Sequence, residues 1–208
     1  MIKIEKIAGL TVFLGILLKY WLLIAGGSIL VTLSLGVLAD LYFLFGFALF
    51  NQIDFKEIFK SKSYTEINKH KIISSIIISI GFAMILVGAI FKFNHWPGST
   101  LLLVFGTLIS LISAVAFIFS YFKSKDNFYL RVLKRIAIIA TFSIMLTVIS
   151  NSALARIQLR NNPDYIKAYE EYQKDPQNME LRKKMNLEYY KATVSKEEYE
   201  LYLERTKE

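Results

Sequence analysis

Gly88-Ala89-Ile90-Phe91-Lys92-Phe93-Asn94-His95-Trp96-Pro97-Gly98-Ser99 is the stretch that decides how this chain folds. It sets a cation, an imidazole, an indole and a Pro-Gly turn between two long apolar runs. One helix must end where Asn94 to Gly98 cluster, and a second apolar helix must then run back, so the stretch reads as the tip of a membrane hairpin. An echo lies about seventy residues upstream. There Gly15-Ile16-Leu17-Leu18-Lys19-Tyr20-Trp21 leads through Gly26-Gly27-Ser28 into another apolar run, with Gly36 where the later copy has Gly106. The chain is therefore expected to contain one hairpin twice, at 9–50 and 80–122.

The composition supports this reading. Hydrophobic residues make up 54% of the 208 positions, although the last fifty or so are strongly polar, so the apolar excess is concentrated in 9–155. Crossing a hydrocarbon core of ~30 Å takes about 20 apolar residues in a helix. Stretches near that length fall at roughly 7–25, 28–50, 72–93, 99–122 and 135–155. Backbone groups in lipid must bond within their own segment, and no alternating barrel pattern competes. The sequence thus predicts an all-α polytopic membrane protein. It has about five transmembrane helices, two repeated hairpins plus one, in a domain spanning 1–155, followed by a soluble helical tail at 156–208. Lys3 and Lys6 precede the first run as in a secretory signal. However, Lys19 interrupts that run and a second span follows almost at once, so the segment is expected to be retained. The absence of cysteine excludes a disulfide framework and thiolate metal sites.

The formal net charge of +8 reflects topology. Residues 156–208 hold eleven basic and eleven acidic side chains, which leaves all of the excess in the membrane part. It gathers in the connections after the second span (Lys56, Lys60, Lys62, Lys69, Lys71) and after the fourth (Lys123, Lys125, Arg131, Lys134, Arg135). Positive loops stay in the cytoplasm, so the hairpin tips face out. With the N-terminus inside, an odd number of spans delivers the tail to the periplasmic side of a bacterial inner membrane. No basic and aromatic face stands apart from the membrane flanks, so nucleic acid is not an expected partner.

In the tail, Asn162-Pro163 places a cap before a first-turn proline, Asp175-Pro176 looks like a second start, and Ser195 with Glu198 forms a capping-box pattern. About three short amphipathic helices are expected. Tyr165, Tyr169 and Tyr172 share one face at i, i+4 and i+7, while Tyr199 and Tyr202 lie on the last helix. Tyrosine suits interfaces, so these five are candidates for binding a protein partner; the alternative is a small solvated helical cap.

Within the apolar part, Asp40 falls near the middle of the second span. A carboxylate there is expensive unless protonated, partnered or watered, and such acids mark proton or ion paths. The competing reading is a neutral Asp40 hydrogen-bonded to Thr11, Ser110 or Ser143. Lys19 and Lys92 match in position near the outer ends of the first and third spans, where their stems can snorkel to the headgroups. His95 beside Lys92 reads either as a titrating group or as a hydrogen-bonded turn residue. Trp21 and Trp96 fit an outer aromatic belt and Tyr121 and Tyr129 an inner one. Glycines at 15, 36, 46, 81, 88 and 106 permit close helix approach. With no phosphate loop, zinc spacing or nucleophile–base signature, neither an enzyme, a metal nor a cofactor is expected.

Gly88-Ala89-Ile90-Phe91-Lys92-Phe93-Asn94-His95, followed by an aromatic, a turn and a Gly-containing apolar helix, resembles the two-helix membrane domain of GldL, the inner-membrane motor protein of gliding motility and type 9 secretion. Ser34-Leu35-Gly36-Val37-Leu38-Ala39-Asp40 resembles the second helix of that family, in which a Ser-x-Gly run leads to an acid thought to lie on the proton path. The resemblance implies that Asp40 holds that acidic position, and that Lys92, with Lys19 as its repeat equivalent, holds the family's lysine. Two departures accompany it. The lysine–histidine tip belongs to the second copy and the acid to the first, and Ser110 stands where the second copy would carry its carboxylate. The expected function is a noncatalytic inner-membrane subunit that docks an envelope complex through its tail, with lipid, a protein partner and a second copy of the chain as candidate contacts. The alternative is a proton- or ion-conducting component using Asp40, with Lys19, Lys92, His95 and Ser110 along the path.

Overall fold

A computed structural model describes residues 1–22 and 26–205. Among these, all regular structure is helical, as the composition predicts. The chain divides into two compact units, Met1–Ile149 and Ser150–Glu208.

The first unit holds α1 (Ile2–Ile16), α2 (Gly26–Phe50), α3 (Lys69–Phe93), α4 (Ser99–Ser124) and α5 (Asn127–Val148). Helices consecutive in the chain pack against one another, and α5 also meets α3 and α2. The helix ends follow local chemistry. Asn68 Oδ1 accepts the His70 N–H at 2.9 Å to start α3, and Asp126 Oδ1 accepts that of Phe128 at 2.8 Å to start α5. Between α3 and α4, Gly98 takes φ +87°, a left-handed turn that glycine adopts without strain. The 94–98 segment is thus the hairpin tip expected from its composition, with Trp96 folded edge-on against Phe91.

α2, α3 and α4 are each long and apolar enough to cross a membrane, and α5 with α6 (Asn151–Gln158) adds a fourth candidate if the two count as one span. The two outer expected spans differ from their drawn limits. The first is a 15-residue α-helix prolonged by a five-residue π turn, Leu17–Trp21, and its end at 23–25 lies outside the described residues. The expected run of 135–155 is divided, because Ser150 Oγ accepts the Ala153 N–H at 3.1 Å and begins a new helix.

Val31, Ile78, Phe82, Ile85, Leu103 and Val132 form the centre of the bundle, all buried. Leu33, Phe43, Ile112, Phe119 and Ile138 point outward on its surface, an apolar exterior that suits hydrocarbon and not water. Glycine sets the closest approach. A Cβ at Gly106 would stand 2.7 Å from the Gly81 carbonyl oxygen, so α3 and α4 touch backbone to backbone. Gly36, by contrast, has nothing within 4 Å of its missing Cβ, so it does not repeat the part of Gly106.

The second unit comprises α6, α7 (Pro163–Lys174), α8 (Met179–Thr193) and α9 (Lys196–Arg205). Pro163 opens α7, and Ser195 with Glu198 closes the expected capping box, through Ser195 N–H to Glu198 Oε2 at 3.2 Å and Glu198 N–H to Ser195 Oγ at 3.3 Å. Asp175-Pro176 forms only a turn. The start of α8 moves to Asn178, whose Oδ1 takes the N–H groups of Glu180 and Leu181. Ala155, Leu159, Tyr165 and Tyr169 make a small core with Met185 and Tyr189 packed against it.

Candidate functional site

The ionisable side chains of the first unit that bear on a site sort into two ends of the bundle and one flank. At the end carrying the basic connections, Arg135 of α5 forks onto Glu5 of α1, with Nε to Oε1 at 2.6 Å and Nη2 to Oε2 at 2.7 Å. Tyr42 of α2 donates its hydroxyl to the same Oε1 at 2.7 Å. The three side chains pin α1, α2 and α5 together through bidentate, charge-assisted bonds, and the guanidinium also lies over the Phe50 ring. At the same end Lys71 pairs with Asp126. That hydrogen bond, and the Phe128 N–H, hold the Asp126 carboxyl below the usual carboxylate range.

At the hairpin-tip end, Lys19 is 4% exposed and donates its ammonium to the Phe93 carbonyl oxygen at 2.8 Å. The last carbonyls of a helix lack partners along the chain and carry the negative end of the helix dipole, so the end of α3 receives a lysine readily. The rings of Tyr20 and Phe93 flank the ammonium, with centroids at 5.3 and 5.7 Å. Lys92 is 3% exposed, and its ammonium makes no hydrogen bond or ion pair with the described residues. Lys19 does not snorkel outward as the sequence suggests but turns into the bundle. His95 takes φ +57° and donates its backbone N–H to the Lys92 carbonyl oxygen, which ties the two together through the main chain of the turn.

Asp40 faces the other way. It stands 14 residues after the start of α2 and 10 before its end, so roughly 21 Å and 15 Å along the axis at about 1.5 Å per residue. It is exposed, on the flank of the bundle, in a shallow groove of about 290 Å³ between Ala39 and Phe43 of α2, Ile80, Ala83 and Val87 of α3, and Leu102 of α4. The partners that a neutral, buried Asp40 would use are engaged elsewhere. Thr11 donates to the Ile7 carbonyl oxygen, Ser110 to that of Gly106, and Ser143 accepts from Thr107. Ser110, its counterpart in the second copy, is fully buried, so the two matching positions face opposite ways. Lys19, Lys92, His95 and Ser110 therefore do not converge on Asp40.

The tyrosines of the tail divide too. Tyr165 and Tyr169 are each 2% exposed and close the core of their unit, with the Tyr165 ring 5.6 Å from that of Tyr189. Burial pushes the Tyr169 hydroxyl up to about 12. These two are structural, while Tyr172, Tyr199 and Tyr202 are half-buried and remain on the surface.

Against known proteins, residues 77–132 match the family described as the GldL N-terminal domain. The match covers α3 from residue 77 onward, the tip, α4 and the start of α5. This hairpin is a GldL-like membrane domain, and the chain carries it within a larger helical bundle. The upstream hairpin, with Asp40, lies outside the matched residues. No curated protein and no solved structure matches the chain.

The Glu5–Arg135–Tyr42 cluster has no signal in the sequence that would have joined it. Its members are 130 residues apart at the extreme, and each reads singly as a flank charge or an interfacial tyrosine. Among the described residues no group of His, Cys, Asp or Glu is placed to hold a metal ion.

Proposed function

We propose that this chain is a noncatalytic, multi-pass subunit of a bacterial inner membrane that belongs to a GldL-type envelope machine. The observation that carries the reading is the match of α3 and α4 to the GldL N-terminal domain, on a bundle whose outer surface is apolar. The basic connections put the 51–68 and 125–126 segments in the cytoplasm and the 94–98 tip outside. In this reading the tail docks a protein partner of the machine through its exposed charged surface, with Tyr172, Tyr199 and Tyr202 as contacts. Isolation of the tagged chain in mild detergent tests it. Deletion of 160–208 should remove the partner and leave the chain in the membrane; recovery of the same partner without the tail would overturn it.

A second reading rests on Asp40. A carboxylate in mid-helix on an apolar flank, with no bond to any described residue, is costly unless a partner helix or water reaches it. In an assembled motor such a group can take up and release a proton. Asp40→Asn at normal abundance should then abolish ion flux or motility, and undiminished flux would eliminate the reading.

A further inference from the structure

A second, larger groove lies on the bundle away from Asp40. It holds about 520 Å³ between α1 and α5, floored by Leu35, Leu38 and Leu86 and rimmed by Phe13 and Ile138, which are 59% and 72% exposed. Its walls are apolar throughout except at one end, where Glu5, Lys6, Tyr42 and Arg135 meet. Along α1 it runs from Glu5 to Ile16, about 16 Å. An extended hydrocarbon chain can lie along a groove of that length.

The polar end also has a sign. Arg135 neutralises Glu5, and Asp126 is paired with Lys71, which leaves Lys3, Lys6, Arg131 and Lys134 in excess on these first turns of α1 and α5. Lys6 lines the groove, and the buried Nε of Arg131, one helical turn before Arg135, has no hydrogen-bond partner among the described residues. An apolar groove that ends in unspent positive charge fits one molecule of the bilayer, hydrocarbon along its walls and an anionic headgroup at its polar end. We propose that this groove binds an anionic phospholipid, one acyl chain along α1 and the phosphate at the Lys6 end, beside the turn of α5 that carries Arg131. The site rests on the membrane reading above and is independent of any partner protein.

Gly9 supplies the test, because it lines the groove and a Cβ there would meet nothing within 4 Å. Gly9→Leu therefore enters the slot with a Cβ that meets no neighbour, and Ile138→Trp narrows it from the opposite wall. The full chain, stripped of lipid in detergent, is offered equal phosphatidylglycerol and phosphatidylcholine of matched chains, and bound lipids are counted by native mass spectrometry. Wild type should hold one phosphatidylglycerol in preference. Either filling variant should lower that first occupancy by about tenfold at unchanged melting temperature. Lys6→Ala with Arg131→Ala should keep a lipid but lose the headgroup preference, at about fivefold per basic residue. Equal occupancy in wild type and both filling variants overturns the site. So does equal binding of the two headgroups, or a wild-type dimer that Gly9→Leu dissolves, which would make the groove a protein interface. Extraction of the same chain from membranes by alkaline carbonate would instead show that the membrane reading itself had failed.

Discussion

Arg135 holds both carboxylate oxygens of Glu5 across 130 residues of chain, and so fastens the first helix of the bundle to the last. The side chains are 20% and 13% exposed, so the pair is largely withdrawn from water though not fully buried. Removing one partner strands the other charge. Glu5→Gln or Arg135→Met alone should destabilise the bundle by about 3–5 kcal/mol, whereas replacing both with apolar residues should recover most of that loss. Thermal unfolding of the four variants in detergent forms the double-mutant cycle that checks it.

Asp40 should behave oppositely. It has no partner within the described structure, so Asp40→Asn or Asp40→Leu should leave the melting temperature unchanged or raise it, while Arg135→Met lowers it. A clear loss of stability in Asp40→Asn would mean that the carboxylate is bonded inside the bundle after all.

Gly106→Val should separate α3 from α4, because its Cβ meets the Gly81 carbonyl oxygen at 2.7 Å and the Ile85 backbone N at 2.9 Å. Gly36→Ala meets nothing and should stabilise α2 by about 0.5–1 kcal/mol through helix propensity alone. The two melting curves should move in opposite directions.

The connection between α4 and α5 should be sensitive to acid. Lys71 and the Phe128 N–H lower the folded-state value of Asp126, so its contribution is complete above the unfolded value of about 4. It is lost as the pH falls through the lower, folded value. Asp126→Ala removes the cap at every pH, at about 1 kcal/mol. The difference in stability between wild type and this variant should shrink as the pH is lowered through that range.

Much of the fold could be read from local chemistry. Pro163, the Ser195–Glu198 box and the Trp96-Pro97-Gly98 turn fix ends through their own neighbours, so the sequence shows them directly. The direction in which a membrane helix faces is less visible. α2 is apolar on nearly every side, so no periodicity distinguishes the flank carrying Asp40 from the core. Lys19 defied the snorkelling rule because its acceptor, the Phe93 carbonyl oxygen, belongs to a helix 74 residues further on. Tyr165 and Tyr169 recur at helical spacing whether they face a partner or their own core, and here they face the core.

Side-specific labelling of introduced cysteines tests the membrane-embedded hairpin most directly, since the chain has none of its own. Pro97, Lys62 and Ser195 are exposed and suit the purpose, whereas Ser99 at the tip is buried. In intact cells with a permeable outer membrane, Pro97→Cys and Ser195→Cys should react with an impermeant maleimide and Lys62→Cys only after lysis. Reaction at Lys62→Cys from outside, or protection of Pro97→Cys, would contradict the topology on which the GldL-type reading stands.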